Sequence, residues 1–427
     1  MTGSKLNAKE QEKASILQSA IMGKITNAQA AKQLRLSVRQ VKRAKARIRK
    51  DGADAVVHKL KGRTSNHAFP QDTKTKALEV ISNEYADFKP SFAQEKLQAI
   101  HDMQMTSQTI RVWMTEAGIW KTRKQKNIGT HRSWRSRKEY FGEMEQFDGS
   151  YHLWFENRFV DQFGSPIEVC LLACVDDATG KITKATFAAN EGVHAVFTFW
   201  KEYVEEWGKT LSIYLDKFST YKINHKAAVD NTDLMTQFGR AMQDVNIYLI
   251  SANSPQAKGR IERLFGTLQD RLVKEMRLAQ INTPKDGNKF LKEVFIPKFN
   301  DKFAVTPAKT GSVHNSLTPT EKKNIDRIFS IQSIRIINND FTIQFKNNWY
   351  QLAEIQPTTV RAKGEVLVEE WLDKSIHFSL REKYLNYTDL PERPKKVNKP
   401  PLILTRHRLN WKPPIDHPWR KTYEAKK

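Results

Sequence analysis

Three carboxylates stand where a chain would not casually put them. Asp148 lies inside the apolar run EQFDGSYHLWF, between Phe147 and Gly149. Asp216 closes the short run LSIYLD, and Glu262 follows SANSPQAKGRI about one turn into a long amphipathic stretch. If the fold gathers these acids, their crowding is tolerable only with a cation between them. Carboxylate oxygens, with no cysteine or histidine at hand, select magnesium or manganese over zinc. Other candidates are weaker. Asp176 and Asp177 fall at a turn, where aspartate is favoured for local hydrogen bonding. Cys170 and Cys174 sit in an apolar run and read as core, and the 11 histidines show no metal-ligand spacing.

The elements that must position the acids are legible as pattern. IEVCLLACVDDATGKITKATFAAN reads as a strand, a turn at Asp177–Gly180 and a second strand. A helix follows with Val193, Val196, Phe197, Trp200, Tyr203 and Val204 on one stripe and Gly208 as its stop. LSIYLD, a helix around 233–242, NIYLIS and a helix carrying Ile261, Leu264, Phe265, Leu268, Leu272 and Met276 complete the series. The order predicts an α/β core on a mixed five-stranded sheet. A helix-bearing crossover would return the fourth strand beside the first, with the last helix across their ends.

Charge divides the chain. Its 427 residues carry 71 Lys and Arg against 47 Asp and Glu, a net +24 that points to a polyanion. Residues 1–140 hold 29 basic and 12 acidic side chains, net +17, whereas 141–290 hold 17 and 20, net −3. Residues 291–427 hold 25 and 15, net +10. A nearly neutral centre between basic flanks suggests nucleic-acid grip outside and chemistry within. Two cysteines exclude a disulfide framework. No apolar run approaches the ~18 residues of a membrane span, and MTGSKLNAKEQEK lacks a signal-peptide core. A cytoplasmic protein is the expectation.

The N-terminal flank predicts helix-turn-helix modules. Thr26 precedes Gln29 by three and Ser37 precedes Gln40 by three, two capping boxes opening successive helices. In VRQVKRAKARIRK, Val38, Val41, Ala44 and Ile48 fall on one stripe, leaving Arg39, Gln40, Lys42, Arg43 and Arg47 to face a DNA groove. A second module over 73–120 starts a helix at a Ser91–Gln94 box, draws a core from Leu97, Ile100, Ile110, Val112 and Trp113, and offers Arg111. It either reads DNA or simply packs. Arg63 lies in a basic loop suited to a minor groove or to plain linkage. Residues 121–138 hold eight cations, with Lys121, Arg123, Lys124, Arg132 and Arg135 placed to track phosphates.

QFDGS, YLDKFSTY and NSPQAKGRIERLFGTLQDRLVKEMR resemble the three signatures of DDE transposases and integrases with an RNase H-like core. The tail TRHRLNWKPPIDHPWR and the paired helix-turn-helix modules are most similar to ISNCY-type bacterial insertion-sequence transposases. The resemblance spans about residues 10–420. It departs from retroviral integrases in the 45 residues between Asp216 and Glu262, with KINHKAAVDN as the expected insertion, and in having helix-turn-helix modules instead of a zinc module. It implies Asp148, Asp216 and Glu262 as catalytic ligands of two Mg²⁺ ions, with Mn²⁺ able to substitute. Two such ions ~3.5–4 Å apart clamp the attacking and leaving oxygens of a phosphodiester. Lys258, Arg260 and Arg263 would hold phosphates nearby. The implied function is transposition: binding of double-stranded DNA at terminal inverted repeats, 3′-end cleavage and strand transfer into target DNA. At least a dimer on paired ends is expected, in a bacterial, nucleoid-associated setting. A transposase-derived DNA-binding regulator and a retroviral-type integrase or nuclease are the competing readings.

The expected organisation is multidomain. Helix-turn-helix domains occupy 1–65 and 66–120, a basic linker 121–139, the RNase H-like domain 140–300 and a Thr/Pro-rich linker 301–325. Short strands over 326–390, with hairpin turns at Asn338–Asp340 and Lys346–Asn348, suggest a small β-barrel. A basic extended arm follows over 391–427.

Overall fold

A computed structural model of the chain describes residues 7–57, 68–121, 136–216, 231–252, 259–392 and 413–418. It comprises two compact units, Met1–Lys126 and Asn127–Lys427.

The first unit is helical. α1 (Ala8–Ile21), α2 (Asn27–Leu34) and α3 (Val38–Asp51) each start at a capping box, on Asn7–Glu10, Thr26–Gln29 and Ser37–Gln40. Their core is small: Leu17, Ala20, Ala30, Ala31, Val41, Ala44 and Ile48. Alanines at the crossings allow close approach. Lys45 locks the set, donating to the Ala20 carbonyl at 2.7 Å and to Asn27 Oδ1 at 2.9 Å. α4 (Gln71–Glu84), α5 (Pro90–His101) and α6 (Ser107–Glu116) enclose a more aromatic core of Tyr85, Phe88, Phe92, Leu97, Ile110 and Trp113.

Two expectations for this second trio are corrected. α5 begins at Pro90 with Lys89 as N-cap and no side-chain cap, so the Ser91–Gln94 box does not form. Proline at the first helical position pre-sets φ and starts the helix two residues earlier than a Ser91 cap would. Gln94 donates along the helix to Gln98. Ile100 and Val112 are exposed, at 58% and 42%, because the buried stripes of α5 and α6 run through Phe92, Ala93 and Leu97 and through Ile110, Trp113 and Met114.

The second unit centres on a five-stranded sheet of β1 (Glu145–His152), β2 (Val169–Asp176), β3 (Ile182–Ala188), β4 (Ser212–Asp216) and β5 (Tyr248–Ala252). The order is β3-β2-β1-β4-β5. β2 pairs antiparallel with both β1 and β3, while β4 runs parallel to β1 and β5 parallel to β4. This is the RNase H-like arrangement. β2 is buried along its whole length, which is why VCLLACV reads as one continuous apolar run.

α7 (Val193–Trp207) and α8 (Asn231–Asp244) cover one face. Gly208 ends α7 at φ +85°, a conformation L side chains rarely adopt, and an added Cβ would meet the Asn315 carbonyl at 2.7 Å. α9 (Gly259–Leu278), α10 (Pro284–Phe290), a π-turn over Leu291–Phe295 and α11 (Ile296–Phe303) cover the other face.

The stretch read as a linker is bound along its length. Val305 donates to Thr179, Lys309 to Glu139 and Val313 to Phe141, and Asn315 exchanges backbone bonds with Lys209. Leu317, then Ile325 and Ile328 of the short helices α12 (Pro319–Lys323) and α13 (Ile325–Ile328), join the α7 core. Thr/Pro composition suppresses helix and strand patterning but leaves backbone groups free to bond to another element.

β6 (Ile331–Ile336), β9 (Glu365–Glu370), β10 (Ile376–Leu380) and β11 (Lys383–Tyr384) form one antiparallel sheet. β7 (Thr342–Phe345), β8 (Asn348–Leu352) and β12 (Tyr387–Leu390) form another. Both contribute to one core that includes Ile343, Tyr350, Val366, Val368 and Phe378, in the manner of a small barrel left unclosed. Lys346–Asn348 is the hairpin turn expected, with Lys346 and Asn347 at positive φ. Asn338–Asp340 is not: β6 pairs with β9, and the turn carries the chain from one sheet to the other. Among the described residues no helix is long and apolar enough to cross a membrane.

Candidate active site

β1 shows two faces over the same few residues. Phe147 enters the core under α7 and α8. Gln146, Asp148 and Ser150 alternate to the opposite side. There α9 lies over the sheet, with Ile261, Leu264, Phe265 and Leu268 packed with Leu171, Ala173 and Val175 of β2.

Two contacts pin α9 along β1. The Ile261 N–H donates to Gln146 Oε1 at 3.3 Å, and Gln269 Nε2 donates to Ser150 Oγ at 3.4 Å. Asp148 lies between Gln146 and Ser150, and Glu262 lies between Ile261 and Gln269. The half-buried aspartate and the exposed glutamate therefore border the same interval between strand and helix.

The parallel pairing of β1 with β4 matches Glu145 with Ile213 and Gln146 with Tyr214. Counted on by two residues, that register sets position 148 level with position 216. Asp216 is the last residue of β4 and pairs with Ala252 of β5. Its side chain lies outside the described residues, as do Lys258 and residues 222–230 of the KINHKAAVDN segment. Among the described residues no three metal-ligating side chains gather into a cluster. The donors bordering that interval are carboxylate oxygens, and among the described residues nothing lies within 4 Å of a Cβ added at Gly266, one turn beyond Glu262. That chemistry suits a hard divalent cation.

The other end of β1 is sealed. Glu145 is fully buried and accepts from Thr183 Oγ1 at 2.7 Å and Tyr203 Oη at 3.1 Å. Burial, then repulsion from Asp176, pushes its carboxyl well above the ordinary 4.5. Tyr203 Oη also meets His314 Nε2 at 2.8 Å, and burial lowers that imidazole below its ordinary 6.5. Burial likewise raises both thiols, so Cys170 and Cys174 are inert core.

Asp176 behaves as its turn position suggests, accepting from Thr179 N and Oγ1 and from Gly142 N. Asp177 does more. Fully buried, it accepts from Gln146 Nε2 at 2.7 Å, Arg260 Nη1 at 2.5 Å and the Lys138 N–H at 2.9 Å. Arg260 is thus committed to an internal ion pair, with its side chain 16% exposed. Sequence reasoning missed Gln146 and the reach of Asp177; the adjacent acids followed by a turn-forming Thr and Gly were the available signal.

Of the proposed DNA-facing cations, Arg39, Lys42, Arg43 and Arg47 are exposed on α3, and Arg111 and Lys121 are exposed as well. Gln40 is also exposed, but its Oε1 accepts from Ser37 N at 2.9 Å, so its acceptor serves the capping box. Arg263 donates to the Gly259 carbonyl at 2.6 Å within its own helix. Arg63, Arg123, Lys124, Arg132 and Arg135 lie outside the described residues.

Residues 12–64 match the helix-turn-helix domain family. Over 353 residues the chain is 36% identical to the putative transposase y4bF of Sinorhizobium fredii, covering 83% of this chain and 75% of that protein. The chain belongs to the transposase family. A second relative in this family, the transposase for insertion sequence IS1202 of Streptococcus pneumoniae, is 26% identical and spans 97% of this chain and 94% of its own. The HTLV-2 integrase catalytic core domain, solved in complex with magnesium, aligns with 35% of this chain and 82% of its own at 14% identity and a TM-score of 0.25. Membership in the transposase family rests on the first relative.

Proposed function

We propose that this member of the transposase family is an active DNA transposase. It binds the terminal inverted repeats of its element, hydrolyses the phosphodiester at each 3′ end and joins the freed 3′-hydroxyl to target DNA. The observation that carries this reading is the interval bordered by Asp148 on β1 and Glu262 on α9, with β4 ending in Asp216 beside β1.

Asp148, Asp216 and Glu262 would hold two divalent ions, Mg²⁺ or Mn²⁺, which when bound would activate the attacking oxygen and stabilise the leaving 3′-oxygen. The chain's own part is positioning. The β1–β4 register, carried on by two residues, supports the two aspartates standing level, and the Ile261 and Gln269 contacts support Glu262 facing β1. Exposed Arg39, Lys42, Arg43 and Arg47 on α3 have the reach to read base edges and grip phosphates. In the first step a water oxygen bonds to phosphorus and the 3′-oxygen departs as a hydroxyl. In the second, that hydroxyl attacks a target phosphodiester and displaces a target 3′-oxygen. No covalent protein nucleophile is needed.

Transposition joins two ends to one target, so the active species is at least a dimer on paired ends, with each protomer cleaving the end that the other binds. The direct test incubates the protein with Mg²⁺ and DNA carrying its own element's ends. Nicking at the 3′ ends and joined products are expected; binding without nicking would leave a DNA-binding regulator. For action in trans, Glu262→Gln is mixed with a variant lacking residues 1–120. Restored cleavage is expected, and no rescue from two folded proteins would sink that arrangement.

A further inference from the structure

We propose that Gln146, Asp177 and Arg260 form a clamp that positions Glu262 over Asp148. The inference rests on the carboxylate reading above and adds residues that reading does not contain. α9 opens with Gly259, a poor helix former, at an end whose first N–H groups lack partners within the helix. Such a start frays. Glu262 lies in that first turn, so a frayed start would carry its carboxylate away from the strand.

The two residues directly before Glu262 are both tied down. The Ile261 N–H is capped from across the interface by Gln146 Oε1 at 3.3 Å. Arg260 reaches Asp177 Oδ1 at 2.5 Å, and the same oxygen accepts from Gln146 Nε2 at 2.7 Å. Asp177 Oδ2 is held in turn by the Lys138 N–H at 2.9 Å. One buried carboxylate thus joins four pieces of chain: the β2–β3 turn, the stretch around Lys138, the strand bearing Asp148 and the first turn of the helix bearing Glu262. Gln146 and Asp177 are both fully buried. Gln146 precedes Asp148 by two residues on the same face, so the clamp shares a strand with one acid and a helical turn with the other. Arg260, expected to hold phosphate, acts as a positioning residue. A displacement of about 1 Å at a reacting centre can cost ~10²-fold in rate.

The test uses the full-length chain and reads Mn²⁺ affinity by calorimetry, then end cleavage as kcat and KM for end DNA, then thermal unfolding. Arg260→Lys keeps the charge but not the planar fork. Gln146→Met keeps the volume and removes the hydrogen bonds. Each is expected to weaken Mn²⁺ binding about tenfold and to lower kcat by about ten- to a hundredfold, with KM unchanged. In a Glu262→Gln background Arg260→Lys should weaken Mn²⁺ no further.

Wild-type Mn²⁺ affinity in both variants, with weaker binding in Glu262→Gln, overturns the clamp and leaves the carboxylate reading intact. A raised, salt-sensitive KM with unchanged kcat also overturns it, by making Arg260 a DNA contact. Unchanged Mn²⁺ binding and cleavage in Glu262→Gln would remove the carboxylate reading itself. Hydrogen exchange on the wild-type chain needs no variant. The Ile261 amide should be protected like the middle of α9, and rapid exchange there alone overturns the proposal.

Discussion

β1 holds two acids three residues apart, and the two ends of the strand treat them in opposite ways. Glu145 is enclosed by Thr183, Tyr203 and the neighbouring Asp176, with its carboxyl pushed upward by burial. Asp148 is half-buried, and Glu262 across from it is exposed. The difference teaches that an acid's presence in a strand says little about its role. A sealed acid has its hydrogen bonds met by protein and contributes to the fold. An acid such as Glu262, exposed in the first turn of α9, stands in reach of solvent instead. The same contrast separates the cations: Lys45 and Arg260 are engaged internally, whereas Arg39 and Arg43 are exposed on α3.

The strongest way to break the comparison is at the open mouth. Asp148→Asn, Asp216→Asn or Glu262→Gln should lower 3′-end cleavage by roughly a thousandfold or more, about 4 kcal/mol in the barrier, while leaving end binding and the unfolding midpoint unchanged or improved. Single-turnover cleavage beside denaturant unfolding checks both halves. Comparable cleavage by Asp216→Asn would remove that residue from the site.

The sealed counterpart should show the reverse. Asp177→Ala leaves Arg260 without its carboxylate partner and Gln146 without an acceptor in a buried site. It should destabilise the second unit by about 3 kcal/mol in urea unfolding. A loss below about 1 kcal/mol would show that the cluster is not sealed as the burial suggests.

For the cations, Arg39→Ala should reduce discrimination between end and random DNA by ~1–3 kcal/mol. Lys45→Ala should leave that ratio alone and lower the melting point of the first unit. Equal losses on both DNAs for Arg39→Ala, at two salt concentrations, would show that α3 grips without reading.

The subtlest test is pH. With its pKa raised by burial, Glu145 contributes stability that is present in full below about pH 4.5 and is lost as pH rises through its folded value. His314, lowered by burial, has the opposite sign: its contribution is present above about pH 6.5 and is lost as pH falls through its folded value. Glu145→Gln should therefore gain stability relative to the wild type as pH rises from 5 to 8. A constant difference across that range would mean that burial does not raise the Glu145 carboxyl above its ordinary value.

Much of this was legible in advance, element by element. The turn after Asp177, the stop at Gly208, the strand ending at Asp216 and the amphipathic start of α9 were all readable, because alternation, helical spacing and turn chemistry are local properties. The Ser91–Gln94 box failed because Pro90 competed for the same helix start. Asn338–Asp340 failed as a hairpin because turn composition does not reveal which strands a turn connects. The 301–325 stretch failed as a free linker because its bonds go to Thr179, Glu139, Phe141 and Lys209, all remote in sequence.

By itself the sequence determined the cast: two basic flanks, an acidic centre, three outlying carboxylates and a cationic third helix. Local chemistry suffices for that, since charge, period and capping are written residue by residue. Only the tertiary structure decided which charged groups were spent inside. Nothing near Arg260 in sequence says that its guanidinium meets Asp177, 83 residues away, or that Gln146 caps a helix 115 residues away. Those partners are set by β1 pairing with β4 and by α9 packing over β2. Long-range packing brings remote groups into a buried space where a polar atom must find a partner, and that requirement separates a clamp from a contact.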